Sequence, residues 1–275
     1  MASAITLHRP ARRNLLLLTL ALLLGLSATI STIAAGAARA AERPTIVLVH
    51  GAWADPAGWA QVQAGLEKDG FAVVAPRLDL LGIQSDADIV RATLDAIPGD
   101  KILVGHSYGG VVISNASYGR SDVQALVYTA AFVPDQGDSI ISLTHDFNPP
   151  AVLPHLVWTG EPFASLCFID SAFFRPLFAA DLSPKKAEAL NAGQQASSVV
   201  LLVEGSGPVG WHSIPSWYAV SARDFVIDPD AQRWMAARAG ATVVEFDDAS
   251  HAGGYTHYST RFVKLIEEAV LSTSD

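Results

Sequence analysis

Three residue types that could together attack a carbonyl carbon stand in suggestive places along this chain. The first is Ser107, in the run Gly105-His106-Ser107-Tyr108-Gly109. An apolar stretch, 101–104, leads into that run, and the small and β-branched residues of 109–115 lead out. This pattern predicts a strand, a sharp turn and a helix, with Ser107 held on the turn above a sheet. Amide groups at the start of the helix would face an anion forming there. A serine so placed could act as a nucleophile if a base took its proton. The bland alternative is a glycine-rich turn that happens to carry a serine.

Eight histidines could supply the base. His251 follows the apolar run 242–246 in Asp248-Ala249-Ser250-His251-Ala252-Gly253-Gly254. Loops after the carboxyl ends of strands are where open α/β sheets place their chemistry. His257 fits a surface loop better. A carboxylate must then hold the histidine in one tautomer. Asp224 follows the apolar run 217–222 and lies in sequence between serine and histidine. Asp228 competes, but Pro229 beside it suits it to capping a helix. Asp247 and Asp248 fit solvated loop acids. For the developing oxyanion, the N–H groups of Tyr108 and Ala52 are the candidates, the latter in the turn His50-Gly51-Ala52-Trp53, with Trp53 N–H as the alternative to Ala52.

These residues need a frame. Short apolar runs at 45–50, 71–75, 102–104, 125–128, 217–220 and 242–246 predict strands buried on both faces of a parallel sheet. Helices are predicted over 59–69, closed by Gly70, from Asp228-Pro229 to Gly240, and over 261–269. Strand and helix alternate, which predicts a doubly wound α/β domain. Residues 134–215 break the alternation and are expected to form a mostly helical insertion, in which Ser183-Pro184 caps a helix running to Gln195. Its phenylalanines, Phe163, Phe168, Phe173, Phe174 and Phe178, either shape an apolar acyl or aryl site or form the insertion's own core. The run 199–203 fits a strand or a buried helical turn equally.

The first forty residues read differently. Basic residues precede an apolar stretch from Leu15, and Ala38-Arg39-Ala40 resembles a cleavage site. This is the layout of a secretory signal peptide, with an uncleaved anchor as the alternative. The chain carries a net charge of −9, and the leader holds four arginines and no acid, which leaves −13 from Ala41 onward. So acidic a chain is a poor partner for nucleic acid or an anionic membrane. Its single cysteine, Cys167, rules out an intramolecular disulfide, and no metal-binding cluster is evident in the sequence.

Taken together, His50-Gly51-Ala52-Trp53 with Trp59, the run 105–110, Val127-Tyr128 to Phe132-Val133-Pro134, Trp217-Tyr218 through Asp224 to Asp228-Pro229, and Ser250-His251 resemble the α/β-hydrolase superfamily. The likeness is closest to the compact branch of bacterial carboxylesterases, plant methyl esterases and hydroxynitrile lyases. It implies about six mostly parallel strands under a helical cap over residues 134–215. It also implies a cofactor-free serine esterase acting on a small-molecule ester through Ser107, His251 and Asp224. Trp53, His106 and Phe132 would then contact the substrate. Cyanohydrin cleavage, perhydrolysis, or lactone or amide hydrolysis could use the same residues, and a non-catalytic binding module could keep the fold. Lys185 or Lys186 would have to serve a lyase. The chain departs from the pattern at Gly253-Gly254-Tyr255-Thr256-His257, where a short turn and a Ser-x-Pro helix start are expected.

Overall fold

The computed structural model describes residues 43–159 and 165–273. The leader over 1–40 and Phe163 lie outside them. The chain runs β1 (Thr45–Val49), α1 (Ala60–Lys68), β2 (Val73–Val74), α2 (Ile83–Ala96), β3 (Lys101–His106), α3 (Tyr108–Ala116) and β4 (Val123–Thr129). An insertion follows, with α4 (Ile140–Thr144), β5 (Leu156–Thr159), β6 (Leu166–Ile169), α5 (Ser171–Phe178), α6 (Pro184–Ala192), β7 (Ser197–Ser198) and α7 (Val200–Val203). The chain then returns as β8 (Ser216–Ser221), α8 (Pro229–Arg238), β9 (Thr242–Phe246) and α9 (Ser259–Ser272).

Six strands make one sheet in the order β2-β1-β3-β4-β8-β9, every neighbouring pair parallel. β3 and β8 are buried along their whole length. Strands covered on both faces have no polar side to mark, which is why they appear as unbroken apolar runs. The register pairs Val49 with Gly105, His106 with Thr129, and Thr129 with Ala219. The carboxyl ends of β1, β3, β4 and β8 therefore lie side by side, and the turns leaving them converge.

The helix α2 has no counterpart in the sequence reading. Its N-cap is Gly82, which offers no side chain. The orphan amide of Ile83 donates instead to Glu204 Oε2 at 2.7 Å, a partner 121 residues away. The predicted caps of α6 and α8 do form locally: Ser183 accepts from Lys186 N–H, Asp228 from Asp230 N–H, and a proline starts each helix.

The insertion is mostly helical in its regular elements, as expected, but adds strands that the sequence did not signal. Alongside its helices it carries a three-stranded antiparallel sheet, β5-β6-β7. Four-residue strands are too short for their polarity pattern to show, and β7 is two serines. Cross-strand pairing, not propensity, makes them strands. The run 199–203 resolves as the helix α7. Phe174 and Phe178 are buried and stack at 4.9 Å as core of the insertion.

Candidate active site

Ser107 sits between β3 and α3 at φ 55°, ψ −125°, in the left-handed region that non-glycine residues rarely occupy. The surroundings hold it there. Its N–H donates to the Ala130 carbonyl at 3.1 Å, and its carbonyl accepts from Gly110 N–H at 3.0 Å and Phe132 N–H at 3.1 Å. A side chain at position 109 would come within 2.4 Å of the Val49 carbonyl oxygen, so only glycine lets α3 pack this closely on β1. The result is a serine turned out of the strand line at the sheet's carboxyl edge.

Asp224 follows β8 and His251 follows β9, and their side chains meet. His251 Nδ1 lies 2.7 Å from Asp224 Oδ2, both side chains fully buried. A carboxylate facing Nδ1 places the proton there and leaves Nε2 as the acceptor. Nε2 is buried and has no hydrogen-bond partner. No hydrogen bond joins it to Ser107. The carboxylate is fixed by three more donors. Oδ1 accepts from Val226 N–H at 2.7 Å and Ile227 N–H at 3.0 Å, and Oδ2 accepts from Gln232 Nε2 at 2.8 Å. Gln232, wholly buried on α8, also donates to the Ile227 carbonyl and accepts from Ser221 N–H. Sequence reasoning missed Gln232. Its one local signal is a glutamine at a buried helical position eight residues after an acid. The competing residues fall elsewhere: Asp228 caps α8, Asp247 and Asp248 are exposed, and so is His257.

His106, expected to contact substrate, is corrected by the structure. It does not line the cavity over Ser107. The chain turns sharply at Ser107, so adjacent side chains part, and the His106 ring enters the packed interior. It lies 4.6 Å from the His251 ring and 4.5 Å from that of Tyr255, and its Nε2 stands 3.0 Å from the His251 carbonyl. Burial first, then neighbouring His251, holds His106 well below the usual imidazole range. It is a neutral donor that seats the His251 backbone. Phe178 of the insertion closes the other side, edge-on to His251 at 4.7 Å, and its carbonyl accepts from Ala252 N–H at 2.9 Å. The departure at Gly253 has a steric cause here: a side chain would meet the Asp181 carboxylate at 2.6 Å. In place of a short turn, residues 251–258 form a run of turns before α9.

Ala52, Trp53, Ser107, Tyr108 and Phe132 all border one cavity of about 510 Å³ including its mouth. Ile140, Val152, Leu201 and Val226 make much of its remaining wall. The Tyr108 N–H opens α3 and so lacks a helical acceptor. Its phenol is buried and donates to Asp86 Oδ2 at 2.8 Å. Burial and the Asp86 carboxylate push that phenol far above its ordinary range, so it serves as an anchor. The turn carrying Ala52 is fixed by His50, whose Nε2 accepts from Leu78 N–H at 3.0 Å while Nδ1 faces the Gly51 carbonyl at 3.0 Å. Burial drives His50 down to about 4, keeping it neutral.

A parallel sheet thus carries a buried acid–histidine pair and a strained serine at its carboxyl edge. The chain belongs to the alpha/beta hydrolase family, whose model matches residues 46–265. It is 40% identical over 121 residues to a carbendazim hydrolyzing esterase of Nocardioides sp. (strain SG-4G), a match covering 38% of this chain and 49% of that enzyme. It is 28% identical over 235 residues to methylesterase 8 of Arabidopsis thaliana, covering 77% of this chain and 84% of the relative. Among solved structures, polyneuridine aldehyde esterase superimposes with a TM-score of 0.71 at 19% identity, covering 85% of this chain and 100% of that one. A pyrethroid hydrolase from Sphingobium faniae JZ-2 gives 0.70 at 23%, covering 84% and 98%. These two likenesses show the fold. The similar sequences are named as esterases and hydrolases, and the chain is a carboxylesterase-like hydrolase.

Proposed function

We propose that this protein is an exported serine esterase that cleaves small-molecule carboxylic esters through an acyl-enzyme. The observation that carries the reading is the buried 2.7 Å contact between His251 Nδ1 and Asp224 Oδ2, which leaves Nε2 as an unpartnered acceptor. In this mechanism Ser107 Oγ passes its proton to Nε2 and bonds to the ester carbonyl carbon. The oxyanion accepts from the Ala52 and Tyr108 N–H groups. Collapse of the intermediate breaks the carbon–oxygen bond, and His251 Nε2–H protonates the leaving alcohol. Water, deprotonated by the same nitrogen, then releases the acid and regenerates Ser107. The names of the relatives, esterases and methylesterases, support small-molecule esters as the substrate class. Lys185 and Lys186 are exposed at the start of α6, and neither borders the cavity, which favours hydrolysis over cyanohydrin cleavage. Export rests on the leader-like residues 1–40.

The test is hydrolysis of p-nitrophenyl esters of rising acyl length by residues 41–275, beside Ser107→Ala. The reading expects turnover by the wild type and a loss of at least ~10³-fold in kcat for the variant. Equal rates for the two proteins would refute it.

A further inference from the structure

Among the polar groups bordering the cavity over Ser107 is an indole N–H that ester cleavage leaves unused. Trp53 follows Ala52 directly, so its placement is tied to that of an oxyanion donor. Its backbone stands at φ 55°, a conformation bulky residues rarely adopt. The insertion holds it there: Ser197 Oγ accepts from Trp53 N–H at 2.9 Å, and Gln195 Nε2 donates to the Ala54 carbonyl at 2.8 Å. Held this way, Trp53 borders the cavity at 6% exposure, and its buried indole N–H has only the Cys167 thiol, a weak acceptor, as a partner. The thiol's own S–H is turned to the Ser197 carbonyl.

The rest of the wall offers little competition. The Ser197 hydroxyl is engaged on both sides, accepting from Trp53 N–H and donating to the Gln195 carbonyl, and the Ser198 hydroxyl accepts from Val200 N–H. No Lys, Arg, Asp or Glu is among the described residues bordering the cavity. A buried donor left unpaired is costly, and a site built around one discriminates against ligands that cannot satisfy it. We propose that the Trp53 indole N–H is a substrate-recognition donor, so that the site takes uncharged esters whose apolar body carries a second, neutral acceptor: an ether or carbonyl oxygen, or a ring nitrogen. The inference rests on the esterase reading above. A carboxylate would enter without a counter-ion and lose its hydration. A plain hydrocarbon would leave the indole N–H with the weak thiol acceptor alone.

The test uses two pairs of esters in which an ether oxygen replaces a methylene. On the acyl side they are methyl phenoxyacetate and methyl 3-phenylpropanoate; on the alcohol side, 2-phenoxyethyl acetate and 3-phenylpropyl acetate. The ether also alters intrinsic reactivity, so the observable is the change in the kcat/KM ratio between wild type and Trp53→Phe. In at least one pair the ether-to-methylene ratio should fall about five- to tenfold in the variant. Unchanged ratios in both pairs would overturn the inference. Should Trp53→Phe fail to fold, or no ester turn over, Kd values for the same pairs on Ser107→Ala decide it. Tighter binding of an ether by about fivefold supports the donor, and ratios near one in both pairs overturn it. Absence of turnover with a clear Kd preference would sink the esterase reading alone.

Discussion

At the scale of single residues, the site depends on one carboxylate that is fully hydrogen-bonded. Asp224 takes four donors, and one of them, His251 Nδ1, leaves Nε2 as the nitrogen that the proposed mechanism uses as base. An amide at 224 would present N–H to Nδ1 and reverse that assignment. Asp224→Asn should therefore lower kcat by about 10³–10⁴-fold with little change in folding; a loss under tenfold would contradict this role. Gln232→Leu removes one donor to Asp224 and unpairs Ser221 N–H and the Ile227 carbonyl. It should cut kcat about tenfold at nearly constant KM and lower the melting temperature, read from steady-state kinetics and calorimetry. His50 gives a pH signature. Its pKa falls from 6.5 to about 4 on folding, so the unfolded chain binds the extra proton between those values. Stability should be full above about pH 6.5 and decline as pH falls toward 4, by up to about 3 kcal/mol from this group. The difference between wild type and His50→Gln in urea melts should shrink across that window. A difference independent of pH would count against the neutral-histidine account.

At the scale of elements, legibility followed locality. The elbow, the caps at Ser183 and Asp228, and the strand over 242–246 are written in contiguous residues, and the structure places them there. The helix α2 is not, because its N-terminal amide is satisfied by Glu204 from the far side of the insertion. Glu204→Ala should cost about 1 kcal/mol, a drop of roughly 2–4 °C in melting temperature for a domain of this size. An unchanged melting point would mean water caps the helix equally well. The antiparallel strands of the insertion escaped notice for a related reason. Leu156–Thr159 and Leu166–Ile169 become strands because each has the other to pair with, and no window of sequence contains that fact. His106 was misplaced because sequence locates a residue on a turn without saying which way its ring departs.

At the scale of the whole molecule, parallel strands deliver Ala52, Ser107, Asp224 and His251 to one edge, although 199 residues separate the first from the last. That convergence was legible as chain order, Ser then Asp then His, because every loop in question leaves the carboxyl end of a strand. The closing wall was not legible: Phe178 and Ser197 reach the site from the insertion, and their contacts with His251 and Trp53 depend on how that insertion folds back. The leader makes a separate prediction at this scale. Protein recovered from the periplasm or medium should begin at or near Ala41 by N-terminal sequencing. Recovery of chains that retain residues 1–40 would favour an anchor.

The central claim is that Ser107 is a nucleophile activated by His251. A fluorophosphonate probe reads it directly. Wild-type protein should gain one phosphonyl group by intact mass, mapped by peptide analysis to Ser107, and His251→Ala should label at least ~10²-fold more slowly. Labelling at another residue, or equal labelling of wild type and Ser107→Ala, would contradict the account.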